Sequence, residues 1–164
     1  MKIKQADFLI YLIKCVLGTI IGFTIYRSYP QVGQWCLLSI ILVLAPDRKD
    51  AFTLATNRIK ANLVGASIGL VLVFVHSINL VMICIGVVAA IIICEVLSLQ
   101  VATRTAVVAL LIVTMHKKGE YFWDVALERA MGVVGGCIIG VLITYIFHIA
   151  ILKYRRKAGR DASI

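Results

Sequence analysis

The chain has 164 residues, 62% of them hydrophobic and 15% charged, where soluble domains run at about 45–50% and 25%; its mean hydropathy is +1.00. At about 20 residues per spanning helix there is room for at most about six or seven spans with short loops, which excludes a secreted disulfide scaffold, a soluble enzyme domain and a single anchor carrying a globular head. The net charge of +9, from 17 Lys and Arg against 8 Asp and Glu, points to cationic loops on the cytoplasmic side of a membrane rather than to nucleic acid.

Residues 8–26 form the first apolar run, preceded by Lys2 and Lys4, interrupted by Lys14 and carrying Gly18 and Gly22. It lacks a small-residue cleavage site and is expected to stay attached as the first span, closed at Arg27-Ser28-Tyr29-Pro30 by a helix-breaking turn. The second span, 33–46, centres on Trp35 to Ala45 and stops at Pro46 and the polar turn Asp47 to Asp50. Alone it is too short to cross about 30 Å. From Ala51 the chain is amphipathic, with Asn57, Arg58, Lys60 and Asn62, and then apolar from Leu63 to Val75. This reads as one long helix entering the bilayer obliquely, with its span at 60–76. A tight turn, His76 to Asn79, leads to the fourth span, 79–98, which is apolar up to Glu95. Arg104 opens the short fifth span, 102–116, which ends at His116 to Glu120. The last helix starts amphipathic at Tyr121, spans 130–152 and finishes in the basic run Lys153 to Lys157.

Residues 1–158 are thus expected to form one six-span domain with a tail at 159–164, an all-α membrane bundle. Six spans put both termini on one side. That side collects most of the Lys and Arg, leaving Arg27, Lys117, Lys118 and Arg129 on the other, so both termini are expected in the cytoplasm and the protein in the plasma (inner) membrane.

A shift of 71 residues lays Ala55-x2-Arg58-x6-Gly65-x2-Ile68-Gly69 on Ala126-x2-Arg129-x6-Gly136-x2-Ile139-Gly140. A shift of 68 lays Gly18 and Gly22 on Gly86 and Ala90, a weaker match. The repeat unit is three spans, and an odd number makes consecutive units enter from opposite sides, so two inverted three-helix repeats are expected. The glycines, Gly18, Gly22, Gly65, Gly69, Gly136 and Gly140, read as helix-packing positions.

Ionisable groups inside lipid cost about 2.5–3.5 kcal/mol each on insertion scales, so each calls for a partner, water or a role. Lys14 lies about 9 Å into the first span at 1.5 Å per residue, where it either snorkels to the interface or forms part of a site. Glu95 and Arg104 face the same side and are candidates for an ion pair with each other or with Lys14, and Glu95 is a candidate proton carrier. Arg58 and Arg129 hold equivalent places near the starts of the two long helices, one toward each side of the membrane, where helix N-termini already favour anions. They are candidate anion contacts, with Lys14 and Arg104, or else interfacial anchors; Asp47, Asp50, Asp124 and Glu128 flank them as local neutralisers.

The five cysteines, Cys15, Cys36, Cys84, Cys94 and Cys137, lie in apolar runs without a C-x-x-C pair and read as packing residues. No motif for catalysis, a cofactor or a metal is present; His76, His116 and His148 stand apart at predicted helix ends. Trp35, Trp123, Tyr26, Tyr29, Tyr121 and Tyr145 fall near span ends, as an aromatic belt would.

A short Trp-led helix, a Pro-ended polar turn and then A-x2-R-x6-G-x3-G, repeated, resembles the fusaric acid resistance-like (FUSC) and aromatic acid exporter families. The match runs from Trp35 to Gly69 and is echoed from Arg104 to Gly140. The resemblance implies a six-helix inner-membrane transport domain, dimeric, exporting aromatic carboxylates and related weak acids. Many members continue into a cytoplasmic domain or a second membrane half, whereas this sequence stops soon after Lys157. A lone half is expected either to homodimerise through its G-x-x-x-G faces and rebuild a pathway for small organic anions, or to serve as a non-transporting structural or assembly subunit that binds anionic lipid headgroups. Its partners are then the bilayer, the anion and a second copy.

Overall fold

The computed structural model describes residues 2–45, 47–75, 79–115 and 122–161, with side chains over 8–45, 47–75, 79–115 and 124–151. Pro46, His76, His116, Lys117, Lys118 and Tyr121, and the side chains of Lys2, Lys4, Trp123 and the run Lys153 to Lys157, lie outside what is described.

Among the described residues the chain is all-helical. Its helices are α1 (Lys2–Ser28), α2 (Pro30–Val43), α3 (Arg48–Val75), α4 (Leu80–Val96), α5 (Thr103–Thr114) and α6 (Phe122–Asp161), with a 3-10 turn, Gln100–Ala102, leading into α5. Three stretches are long and apolar enough to cross a membrane: Phe8–Ser28, Arg48–Val75 and Asp124–Ile151. The outward faces of α1 and α4 carry Phe8, Leu12, Ile20, Phe23, Val81, Ile85 and Ile92, all exposed.

Local chemistry sets the helix ends. α1 ends at Ser28, within the expected turn, and Pro30 opens α2 within its first turn, where its missing N–H would have had no intrahelical partner. Tyr29 alone separates α1 from α2. Asn79 caps α4, its side chain accepting from the Met82 amide at 2.9 Å. At the other end of α4, Ser98 takes the left-handed conformation at φ 55°. Its amide donates to the Glu95 carbonyl at 3.0 Å and the Leu99 amide to the Cys94 carbonyl at 2.8 Å. These bonds form a Schellman closure, with the accompanying apolar contact supplied by buried Leu99 against Cys94.

Two short helices lie inside, each held by a long one. The tightest packing pairs α2 with α6 and α3 with α5. On α6, Gly132, Gly136 and Gly140 stack at four-residue spacing on one face. A Cβ added at Gly132 would stand 2.5 Å from the Val32 carbonyl oxygen, one at Gly136 would collide with that of Cys36, and one at Gly140 would lie 3.2 Å from that of Ile40. On α3, a Cβ at Gly65 would collide with the Ala106 carbonyl and one at Gly69 would lie 3.2 Å from the Leu110 oxygen and 3.0 Å from Val113 Cβ. Gly18 and Gly22 of α1 face Leu44, Ile40 and Leu37 of α2, mainly through side chains.

These contacts correct one expectation. The G-x-x-x-G faces at Gly65, Gly69, Gly136 and Gly140 are filled within the chain, by α5 and α2, and so are not open to a second copy.

Backbone rather than a pliable side chain opposes Gly136, so Gly136→Ala is expected to destabilise by about 1–3 kcal/mol, the usual scale of overpacking. Its neighbour Gly135 meets nothing within 4 Å, and Gly135→Ala should be neutral or gain up to about 1 kcal/mol from helix propensity. Thermal unfolding of the two variants in detergent, followed by circular dichroism, tests the opposite signs.

Candidate functional site

Polar side chains gather where α3 and α6 meet the middle of α2. Ser39 is the hydroxyl residue in the apolar part of α2; it is fully buried and donates to the Trp35 carbonyl one turn back at 2.7 Å. Its oxygen accepts from Arg58 Nε of α3 at 3.3 Å. One turn further along α3, Asn62 is also buried and its Oδ1 accepts from Arg129 Nε of α6 at 2.8 Å.

Arg129 is only 2% exposed. Its guanidinium lies 4.3 Å from the centre of the Trp35 ring, a stacking and cation–π arrangement well suited to arginine. Its Nη1 is buried and has no hydrogen-bond partner among the described residues. The two arginines are close enough for their charges to repel. Asp124 and Glu128, expected to neutralise them, form no ion pair with either among the described residues.

This arrangement departs from the sequence expectation. The sequence pattern places Arg58 and Arg129 toward opposite sides of the membrane, but α3 and α6 pack along one another and bring both to the turn Trp35–Ser39. Trp35 is therefore a partner of Arg129. Tyr145 carries Arg48 over its ring at 5.6 Å, while Tyr26 and Tyr29 remain exposed.

The other two candidate cations do not join the cluster. Lys14 is 2% exposed and its Nζ donates to the Ala45 carbonyl at 3.3 Å, at the C-terminal end of α2, where a cation complements the exposed carbonyls. Arg104 is exposed in the first turn of α5, a helix that makes no contact with α2. Glu95 forms no ion pair with Arg104 among the described residues; its Oε1 accepts from Gln100 Nε2 at 2.6 Å across the Schellman turn.

Asn62 and Ser39 were missed by sequence reasoning. The signal for Asn62 was its place four residues after Arg58, on the same helical face.

A match to a protein-family model decides the family. The model is described as fusaric acid resistance protein-like and matches residues 13–143. The chain belongs to the fusaric acid resistance protein-like family. The matched stretch takes in Trp35, Ser39, Arg58, Asn62 and Arg129, so the buried cluster lies wholly inside this family domain. With its three long apolar helices, membership makes this FUSC-like chain a membrane protein of a transport-related family. No curated protein and no solved structure matched it.

A hydrogen bond to a charged group is worth about 1.5–3 kcal/mol, and removing one buried partner leaves the other unsatisfied. Asn62→Leu is accordingly expected to lower stability by about 2–3 kcal/mol. Adding Arg129→Met should recover most of that loss, because apolar replacement of both partners is close to neutral. Denaturant unfolding in mixed micelles, run as a double-mutant cycle, reads this out; additive losses would contradict it.

Proposed function

We propose that this protein carries small organic anions, aromatic carboxylates among them, across the membrane, with Arg129 and Arg58 contacting the anion on its way. The observation that carries the reading is the Nη1 of Arg129, buried and without a hydrogen-bond partner among the described residues. A buried guanidinium lacking a counter-charge is expensive. An arriving carboxylate would satisfy Nη1 in the planar geometry that arginine prefers. The aromatic preference draws on the family description, fusaric acid resistance protein-like, since fusaric acid is itself an aromatic carboxylic acid.

The pathway we propose runs through two inverted three-helix units, each crossing the membrane three times, with both termini in the cytoplasm. The glycine contacts support this organisation. Gly65 and Gly69 meet Ala106, Leu110 and Val113 of α5, while Gly136 and Gly140 meet Cys36, Ile40 and Val43 of α2. Positions 71 residues apart on the long helices thus find positions 70 apart on the short ones. Each unit lends its long helix to the short helix of the other, which is how an interlocked pair related by a two-fold axis would pack. As a homodimer, the protein would associate through a surface other than these glycine faces.

A second reading takes its support from Lys14 and Arg58, each tied to a group in its own fold, Ala45 and Ser39. In it the protein is a non-transporting structural or assembly subunit of the membrane.

Efflux from proteoliposomes preloaded with matched aromatic and aliphatic carboxylates separates the two. Transport predicts measurable flux that falls at least about tenfold in Arg129→Gln, corresponding to the loss of about 1.4 kcal/mol or more of charged hydrogen bonding, with part retained in Arg129→Lys. Flux indistinguishable from empty vesicles for the wild-type protein favours the subunit, and equal flux in wild type and Arg129→Gln removes Arg129 from the pathway.

A further inference from the structure

A second feature lies on the outside of the molecule, where the start of α3 runs beside the later part of α6. Two hollows there adjoin and share Phe52 and Val141. The first, about 530 Å³, is bordered by Arg48, Lys49, Thr53 and Tyr145. The second, about 240 Å³, continues along Thr56, Ile59, Ile138 and Leu142 and is almost wholly apolar. On α3, Arg48, Phe52, Ala55, Thr56 and Ile59 fall on one face, and on α6 so do Ile138, Val141, Leu142 and Tyr145, by helical spacing. Together they form one groove, cationic at one end and apolar along its length.

Its dimensions match one leaflet of a bilayer. From Arg48 to Ile59 the helix rises about 16 Å at 1.5 Å per residue, and half of a hydrocarbon core about 30 Å thick is about 15 Å. The cationic end is available. Arg48 is exposed and lies over the Tyr145 ring, 5.6 Å from its centre, a contact that uses the face of a guanidinium rather than its N–H donors. Neither Arg48 nor Lys49 forms an ion pair among the described residues. Of the neighbouring carboxylates, Asp47 accepts from the Arg48 amide at 2.8 Å, and Asp50 is turned about 200° around the helix from Arg48.

We propose that this groove holds one anionic phospholipid, its phosphate on Arg48 and Lys49 and an acyl chain along Phe52, Ile59, Ile138 and Leu142. Charge complementarity selects the occupant, because a zwitterionic lipid offers the same chain but no net negative charge. The site is separate from Arg58 and Arg129, which border neither hollow.

The test uses the purified full-length chain in nanodiscs, with spin-labelled phosphatidylglycerol and phosphatidylcholine of identical acyl chains as probes, reading the motionally restricted fraction. Wild type is expected to favour phosphatidylglycerol. The double variant Arg48→Gln, Lys49→Gln should lose that preference by roughly 10- to 30-fold, from two cations near a membrane surface. Arg27→Gln, which removes an exposed cation outside the groove, should keep it. Ile138→Trp, which fills the apolar part without changing charge, should reduce restriction of both lipids, while excess inorganic phosphate should displace neither. Equal restriction of the two lipids by wild type, or a preference unchanged in the double variant, overturns the proposal. So does displacement by phosphate, which would mark a simple anion site.

Discussion

Two helix backbones can approach to carbonyl contact only where no Cβ stands between them. That constraint governs this molecule. In lipid the apolar surroundings are as welcoming to a leucine as a neighbouring helix is, so association depends on close packing and backbone approach. Gly132, Gly136 and Gly140 bring α6 down onto the carbonyls of Val32, Cys36 and Ile40, and Gly65 and Gly69 do the same for α3 on α5. The buried clusters around these contacts are accordingly rich in small residues, among them Ala55, Ala61, Ala66, Ala106, Cys94 and Cys137. Neither α2 nor α5 is long enough to cross a hydrocarbon core unaided. Each gains its place by lying against a helix that is.

The same packing explains why a positive charge can be kept inside. With α2 gripped by α6 and α3 also against α6, the side chains at their meeting are fixed in position: Trp35 under the guanidinium, Asn62 on its Nε, and Ser39 holding the second arginine. The desolvation of Arg129 is offset by a ring face and one strong hydrogen bond and is left incomplete at Nη1. Lys14 marks the contrast, since its ammonium ends on a carbonyl at the foot of α2 and serves the helix it touches.

How much of this was legible in the sequence depends on distance along the chain. Hydropathy placed the apolar runs, and the repeat at an offset of 71 picked out Arg58 and Arg129 together with the glycines that hold the helices. What it could not give was the pairing. A stripe of small residues identifies the face of a helix that will be approached but carries no mark of what approaches it, so α6 on α2 and α3 on α5 became visible only in three dimensions. Trp35 illustrates the cost: near a helix start it reads as an interfacial aromatic, and its partner lies 94 residues away at Arg129. Pro30 was legible as the end of the first helix but not as the start of the second, since proline ends one helix and begins another equally well. Glu95 finds a local partner, its Oε1 accepting from Gln100 five residues on, where charge alone suggests a pairing with Arg104.

The exchange of partners also bears on synthesis. The first short helix, α2, is completed early in translation, yet the glycines that must close on it belong to α6, made four helices later. Likewise, Gly65 and Gly69 of α3 wait uncovered until α5 emerges. A nascent chain that has delivered its first three helices therefore holds α1 on α2 but neither of these two glycine contacts, and late contacts between distant segments close slowly. These contacts close in two steps, α3 on α5 and then α6 on α2, and until the second the partly made protein presents uncovered glycine faces to whatever quality control surveys the membrane.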